Sequence, residues 1–127
     1  MTTSPPADTP PPLDSSWKRF QDEKGPAPPV LTLDREGTIR SLTQSACRVL
    51  EYESEEQVVD CFFSHVHRRN MRRVMRDLAD MVCRGKQRAR WLLRLWTGND
   101  RWRWYRVAVR NRFREEEGRI LVYLQPL

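Results

Sequence analysis

The feature that most constrains the fold is a change in the spacing of apolar residues at Gly85. Before Gly85, the stretch RRNMRRVMRDLADMVCR (68–84) repeats apolar residues every three or four positions, which is typical of an amphipathic α-helix. The predicted buried stripe of this helix consists of Met71, Val74, Met75, Leu78 and Val82. Gly85 favours a helix end, because glycine adopts the left-handed conformation found at helix C-termini at no steric cost.

Three segments after Gly85 predict β-strands. They cover 88–96, 101–113 and 119–125, and each is rich in β-branched and aromatic residues. TGND and REEEG separate them and are typical turn sequences, so we expect three antiparallel strands. In the middle strand one face would hold Arg101, Arg103, Tyr105, Val107 and Val109, and the other Trp102, Trp104, Arg106, Ala108 and Arg110. Since neither face is purely polar, the sheet needs a cover on both sides.

The residues before the long helix predict a hairpin and short helices. VLTLDREGTIRSL has two extended apolar runs around a turn, where Gly37 supplies the positive φ that a tight hairpin needs. SACRVLEY and SEEQVVDCFF have short helical spacing, and the second begins with a serine and acids that suit a helix N-terminus. Residues 30–127 therefore predict one α+β domain.

The first 29 residues predict a separate, flexible segment. They are rich in proline and poor in large apolar groups, so they bury too little surface to offset the entropy of ordering. A short helix is predicted at 14–24, where Trp17 and Phe20 would share one face. Such a helix is marginal alone, so these two aromatic side chains are predicted interface residues that dock on the outer face of the sheet.

Composition excludes several classes of protein. With 127 residues, 39% hydrophobic and 31% charged, the chain suits one small domain. It has neither a run of roughly 20 apolar residues nor the pattern of a signal peptide, so a cytoplasmic protein with no membrane span is expected. Cys47, Cys61 and Cys83 are odd in number and form no C-x-x-C pair, which favours reduced thiols.

No catalytic or metal-binding residues are predicted. The sequence has no nucleophile elbow, phosphate loop or paired carboxylates in apolar surroundings, so we expect a protein that is not an enzyme. Cys61, His65 and His67 form a C-x-x-x-H-x-H pattern. That pattern is weak without further ligands, and structural roles for these side chains are favoured.

The stretch NDRWRWYRVAVR (99–110) has two interpretations. The net charge is +6, and from 61 to 114 the only acids are Asp77, Asp80 and Asp100. Interleaved arginine and tryptophan could form a platform on which nucleic-acid bases stack. The same residues could be one strand of a sheet whose outer face is solvated by arginine. Nucleic acid remains the alternative, less favoured partner.

The ordered series of elements resembles a PAS domain over roughly residues 30–125. LDREGTIRSLTQSACRVLEYESEEQVV is similar to the opening of that family, and FFSHVHRRNMRRV is similar to its approach to the long helix, with His67 at the family histidine. GNDRWRWYRVAVRNRFREEEGRILVYLQ is similar to its last part, with Trp104 at the family tryptophan. The chain differs from the family pattern at Thr43, where asparagine is common, and at 68–70.

The resemblance implies a five-stranded antiparallel sheet in the order 2-1-5-4-3, with short helices and one long helix on one face. It also implies a sensory or signal-transduction module with a cavity between the helices and the sheet. The predicted lining residues are Leu33, Leu42, Val49, Phe63, Val74, Leu78, Leu93, Trp104 and Tyr123. Because most of them are apolar, we expect a small hydrophobic ligand rather than a charged one.

The resemblance leaves the cofactor unknown and disfavours two groups. DCFFSH shares only Cys61 and a nearby aromatic with the flavin-photoadduct sequence NCRFLQ, and residues 71–83 lack the histidine that haem-binding relatives use. Output is expected through a homodimer or a partner signalling protein if the chain is complete. If it is a fragment, an effector such as a kinase is expected to follow.

Overall fold

The computed structural model describes residues 28–113 and 119–127. The predicted helix at 14–24, with Trp17 and Phe20, lies outside this part of the chain. The strands are β1 (Val30–Leu33), β2 (Ile39–Leu42), β3 (Arg88–Trp96), β4 (Trp102–Arg112) and β5 (Arg119–Pro126). The helices are α1 (Gln44–Val49) and α2 (Arg68–Arg84), with two 3-10 turns at Glu55–Gln57 and Phe62–His65.

The five strands form one sheet in the order β2-β1-β5-β4-β3. All four neighbouring pairs are antiparallel, so the predicted α+β fold and strand order are confirmed. The predicted β1–β2 hairpin is also present, and Gly37 in its turn has a φ of 83°. The long connection from β2 to β3 contains all the described helices.

Helix α2 begins and ends where the sequence predicts. His67 caps its N-terminus, where Nδ1 accepts a hydrogen bond from the Arg69 amide, and Gly85 ends it with a φ of 73°. Its buried side chains are Val74, Asp77, Leu78 and Met81. The predicted stripe was wrong at Met75, whose side chain is 50% exposed. The buried face is thus turned toward Met81 rather than Met75.

Of the two short helical stretches that the sequence predicts, SACRVLEY forms helix α1, whereas SEEQVVDCFF is more tightly wound than predicted. Thr43 caps α1, where its Oγ1 accepts from the Ala46 amide. The stretch SEEQVVDCFF does not form a continuous helix. Ser54 and Gln57 close a reciprocal capping box around one 3-10 turn, and a second turn follows Cys61.

The main core lies between the helices and one face of the sheet, here called the inner face. Tyr105 and Phe62 are its largest fully buried side chains. The opposite, outer face carries a second apolar cluster of Val30, Leu121 and Tyr123, against which Ala108 packs. The central strand β5 is therefore buried on both faces, which explains its uninterrupted apolar run ILVYL.

No helix in 28–113 or 119–127 is both long and apolar enough to cross a membrane.

Candidate functional site

Seven of the nine predicted lining residues meet on the inner side of the sheet. Four of them are buried within the main core and three pack against it at its margin. The buried four are Leu33, Val74, Leu78 and Leu93, and the marginal three are Leu42, Val49 and Phe63. They come from β1, β2, β3, α1, α2 and the second 3-10 turn, so the interior is built from elements far apart in sequence.

Trp104 and Tyr123 do not line this interior. Trp104 is 41% exposed on the outer face, and Tyr123 belongs to the outer apolar cluster. Their neighbours Tyr105, Val122 and Leu124 point into the main core instead. The prediction was wrong by one residue in each strand, because successive side chains of a strand point to opposite faces.

Tyr105 is a core residue that is not among the nine predicted lining residues. Its hydroxyl donates a hydrogen bond to the Val49 carbonyl at 2.5 Å, which ties the centre of β4 to the end of α1. Burial raises the pKa of Tyr105 to about 12, because the charged phenolate would lose its hydration there. Tyr105, Val107 and Val109 occupy every second position of β4 and so lie on one face of the strand. This alternation is the sequence signal that identifies Tyr105 as an inner residue.

A second buried polar group, Asp77, lies where α2 packs against β3. It is 5% exposed and accepts hydrogen bonds from Trp91 Nε1 at 2.7 Å and Lys86 Nζ at 2.8 Å. Burial raises the pKa of its carboxyl, but these hydrogen bonds outweigh that effect and the net pKa is lower than usual. Asp77 thus fastens α2 to β3 as an ionised, fully paired group.

His65 is also buried and paired. Its ring nitrogens lie 3.1 Å from the Val59 carbonyl oxygen and 3.4 Å from that of Trp96. His67 instead caps α2 and packs edge-on against Trp102, with ring centroids 4.7 Å apart.

In 28–113 and 119–127, no three His, Cys, Asp or Glu side chains are grouped in a way that could hold a metal ion. Cys61 is partly buried, and its backbone bridges to Thr38.

Glu51, two residues after α1, connects the end of that helix to the start of β4. Its carboxylate accepts from Arg101 Nε at 3.1 Å and from Arg103 Nη1 at 3.2 Å, both on or beside β4. The Arg101 hydrogen bonds are the main cause that lowers the pKa of Glu51 to about 2. No local pattern could reveal this pairing, since the partners lie some 50 residues apart in sequence.

The outer face divides into two halves. The β1–β5 half carries the apolar cluster of Val30, Leu121 and Tyr123. The β3–β4 half carries exposed tryptophans, and Trp102 packs edge-on against Trp96 with ring centroids 5.1 Å apart. The Arg94 guanidinium lies over the Trp104 ring, 4.7 Å from its centroid. The stretch NDRWRWYRVAVR is therefore a turn and a strand, whose tryptophans lie on the outer face.

No protein-family model matches the sequence, and no curated protein matches it either. Solved structures do match. The PAS-B domain of Cycle from Drosophila melanogaster has a TM-score of 0.63 and 16% identity, over 77% of this chain and 98% of that chain. The PAS domain of an HTR-like protein from Haloarcula marismortui has a TM-score of 0.61 and 20% identity, over 89% and 96%.

A third match is a domain of a sensory box sensor histidine kinase/response regulator from Geobacter sulfurreducens. It has a TM-score of 0.58 and 19% identity, over 77% of this chain and 82% of that chain. At such identities the likeness concerns the fold. The chain has the fold of a PAS domain.

Proposed function

We propose that this protein is a sensory or signal-transduction module. In this proposal it binds a small, neutral, mostly apolar ligand between the helices and the sheet, and it signals through self-association or a partner protein. The observation that carries the proposal is the PAS fold with seven predicted lining residues gathered on its inner side. One similar domain belongs to a sensor histidine kinase/response regulator, and structures of the Cycle PAS-B domain contain ethylene glycol or glycerol.

The chemistry of the interior supports a neutral ligand. The polar groups that border it are engaged: the Tyr105 hydroxyl with Val49, and the Asp77 carboxylate with Lys86 and Trp91. A charged ligand would lose its hydration and find no counter-charge among these groups, which is costly. A compact apolar ligand needs only surface contact with side chains such as Leu33, Leu78 and Leu93. We also propose that the module is not an enzyme.

A melting-temperature screen, followed by native mass spectrometry, tests this proposal. Neutral apolar compounds such as indole and short-chain alcohols are compared with their carboxylate analogues at matched concentration. At a hundredfold excess over Kd, a ligand should raise Tm by about 10 °C and appear in the native spectrum at one per chain. Equal shifts by neutral and charged compounds, or no shift by any of them, would contradict the proposal.

The outer apolar cluster supports a second part of the proposal, self-association. Val30 and Leu121 are 1% and 0% exposed although they lie on the outer face. We propose that Trp17 and Phe20 pack on this cluster, within one chain or across a homodimer. Apolar side chains on an outer sheet face need such a cover, and symmetric dimers are the commonest soluble oligomers.

Replacing Trp17 and Phe20 by alanine tests this second part. Sedimentation should show weaker self-association, or dye binding should show a newly exposed sheet. Trp104→Ala, on the other half of the outer face, is the control and should leave both readings unchanged. If the double variant matches the unmodified protein in both readings and in stability, the N-terminal aromatic side chains do not cover the cluster.

A further inference from the structure

The β3–β4 half of the outer face carries a strip of arginines. The members of this arginine strip are Arg88, Arg90, Arg94, Arg106 and Arg110. Within 28–113 and 119–127, none of the five forms an ion pair with a carboxylate. The Nε atoms of Arg94 and Arg110 are buried and lack a hydrogen-bond acceptor. Among the described residues the strip is therefore a concentrated positive surface without carboxylate partners.

An exposed apolar side chain interrupts the strip. Leu92 lies between Arg90 and Arg94 on β3, and its side chain is 52% exposed. Cross-strand pairing places Leu92 opposite Arg106 and Arg90 opposite Ala108. Along β3 the outer face thus presents, at every second residue, two arginines, then Leu92, then Arg94.

The backbone beside this surface is an open sheet edge. β3 is the last strand of the sheet, and described residues hydrogen-bond to its outer edge at its far end. There, Arg94 N–H donates to Asn70 Oδ1, and Arg94 C=O accepts from the His67 amide, both at 3.0 Å. Because alternate residues of a strand direct their backbone groups to the same side, those of Arg90 and Leu92 face this edge too. No described strand pairs with it there.

We propose that this edge binds an extended acidic peptide segment of a partner protein by antiparallel strand addition. Residues directly opposite in neighbouring strands lie about 4.5–5.5 Å apart, so acids at every second position of the peptide meet Arg90 and Arg88. An apolar residue two positions before the first acid meets Leu92. Main-chain hydrogen bonds supply affinity, and the alternating side chains supply selectivity.

Two observations favour a peptide over single-stranded nucleic acid. Base stacking needs open aromatic faces. Here Arg94 lies over the Trp104 ring, and Trp102 packs edge-on against both His67 and Trp96. In addition, an open strand edge offers backbone donors and acceptors that pair with another strand but have no special complement in a sugar–phosphate chain.

The first test uses chemically altered probes and leaves the protein unchanged. The probe is a fluorescein-labelled peptide that begins with valine and continues with alternating threonine and glutamate, so that valine stands two positions before the first acid. It is compared with two N-methylated forms of itself. Methylation of the glutamate nitrogens removes the N–H groups that face β3, whereas methylation of the threonine nitrogens alters those that face away. Binding should be lost with the first form and kept with the second. Equal binding by both forms would overturn strand addition, because charge alone does not distinguish them.

The second test uses paired charge reversals. Arg88→Glu with Arg90→Glu should weaken binding of the unmethylated peptide at least about tenfold. The control, Arg72→Glu with Arg73→Glu on the exposed face of α2, makes the same change in net charge and should alter binding less than about twofold. An equal loss in both variants overturns the site. The proposal is also overturned if an oligothymidylate of equal charge binds more tightly than the peptide and its binding depends on Trp102 and Trp104.

Discussion

At the scale of single residues, Gly98 is the point where the β3–β4 turn meets the end of α1. Its amide donates to the Leu50 carbonyl at 2.9 Å, and a Cβ built there would lie 2.2 Å from the Glu51 carbonyl oxygen. Because that oxygen belongs to the backbone, a small side-chain movement cannot relieve the contact. Gly98→Ala should therefore lower the free energy of unfolding in urea by about 1–3 kcal/mol.

A matched substitution lies in the same turn. Asp100 has a positive φ of 59°, so Asp100→Gly relieves strain there and should cost little or nothing. If Gly98→Ala proves as mild as Asp100→Gly, the turn and α1 are less closely joined than the structure indicates.

The Glu51 carboxylate predicts a defined pH dependence. Hydrogen bonds from Arg101 lower its pKa from 4.5 to about 2, so the folded state binds this proton less readily than the unfolded state. The stabilisation is complete above pH 4.5 and is lost as the pH falls toward 2. Glu51→Gln should be less stable than the unmodified protein at pH 7, and the difference should shrink through this acid range.

Glu53→Gln is the control for this experiment, because the exposed Glu53 side chain has no cation partner in the described part of the chain. Its unfolding free energy should follow the unmodified protein at every pH. A Glu51→Gln difference that stays constant from pH 7 to pH 2 would contradict the assigned role of the pair.

At the scale of elements, Asp77 joins α2 to β3. Asp77→Ala removes the acceptor of the buried Trp91 indole N–H, which should cost about 1–3 kcal/mol of unfolding free energy. The control on the same helix is Asp80→Asn, since among the described residues Asp80 forms an ion pair only with exposed Arg84, at 3.9 Å, and such a pair contributes little. Equal unfolding free energies for the two variants, measured by denaturant titration, would show that the Asp77 contacts do not hold the two elements together.

The sequence predicts strands better than it predicts which way their side chains point. In β5 the run ILVYL is apolar without interruption, so it carries no alternation from which a face could be assigned. In β4 arginine and aromatic residues occur on both faces of the strand. The large apolar ring of tryptophan then favours, wrongly, the face of Trp104 as the inner one. The three-residue pattern of Tyr105, Val107 and Val109 is the better guide, because it persists along the strand.

The sequence predicts SEEQVVDCFF as helical but does not predict that it forms two 3-10 turns. Capping signals such as Ser54 with Gln57 mark where a helix begins but do not decide how many turns follow. Their length is set by distant contacts. Val66 bridges to Leu95 and His65 reaches the Trp96 carbonyl, so the chain must return to β3 soon after the second turn.

At the scale of the whole molecule, the two faces of the sheet have different roles in the proposed function. The inner face and the helices enclose the predicted ligand-binding interior, and the β1–β5 half of the outer face holds the proposed association surface. β5 belongs to both, with Val122 inside and Leu121 outside. In the proposed function, β5 therefore connects the ligand-binding side of the sheet to the association surface.

Methyl NMR during titration with neutral apolar compounds distinguishes the two faces in one measurement. Binding in the interior should shift the methyl signals of Leu33, Val74 and Leu93. The methyl signals of Leu92, which lies within the arginine strip on the outer face, should remain unchanged. Two results would contradict the account: every compound that shifts Tm perturbs Leu92 but none of the three inner residues, or no compound in the screen perturbs the inner residues. Either result would show that the protein does not sense a ligand between its helices and its sheet.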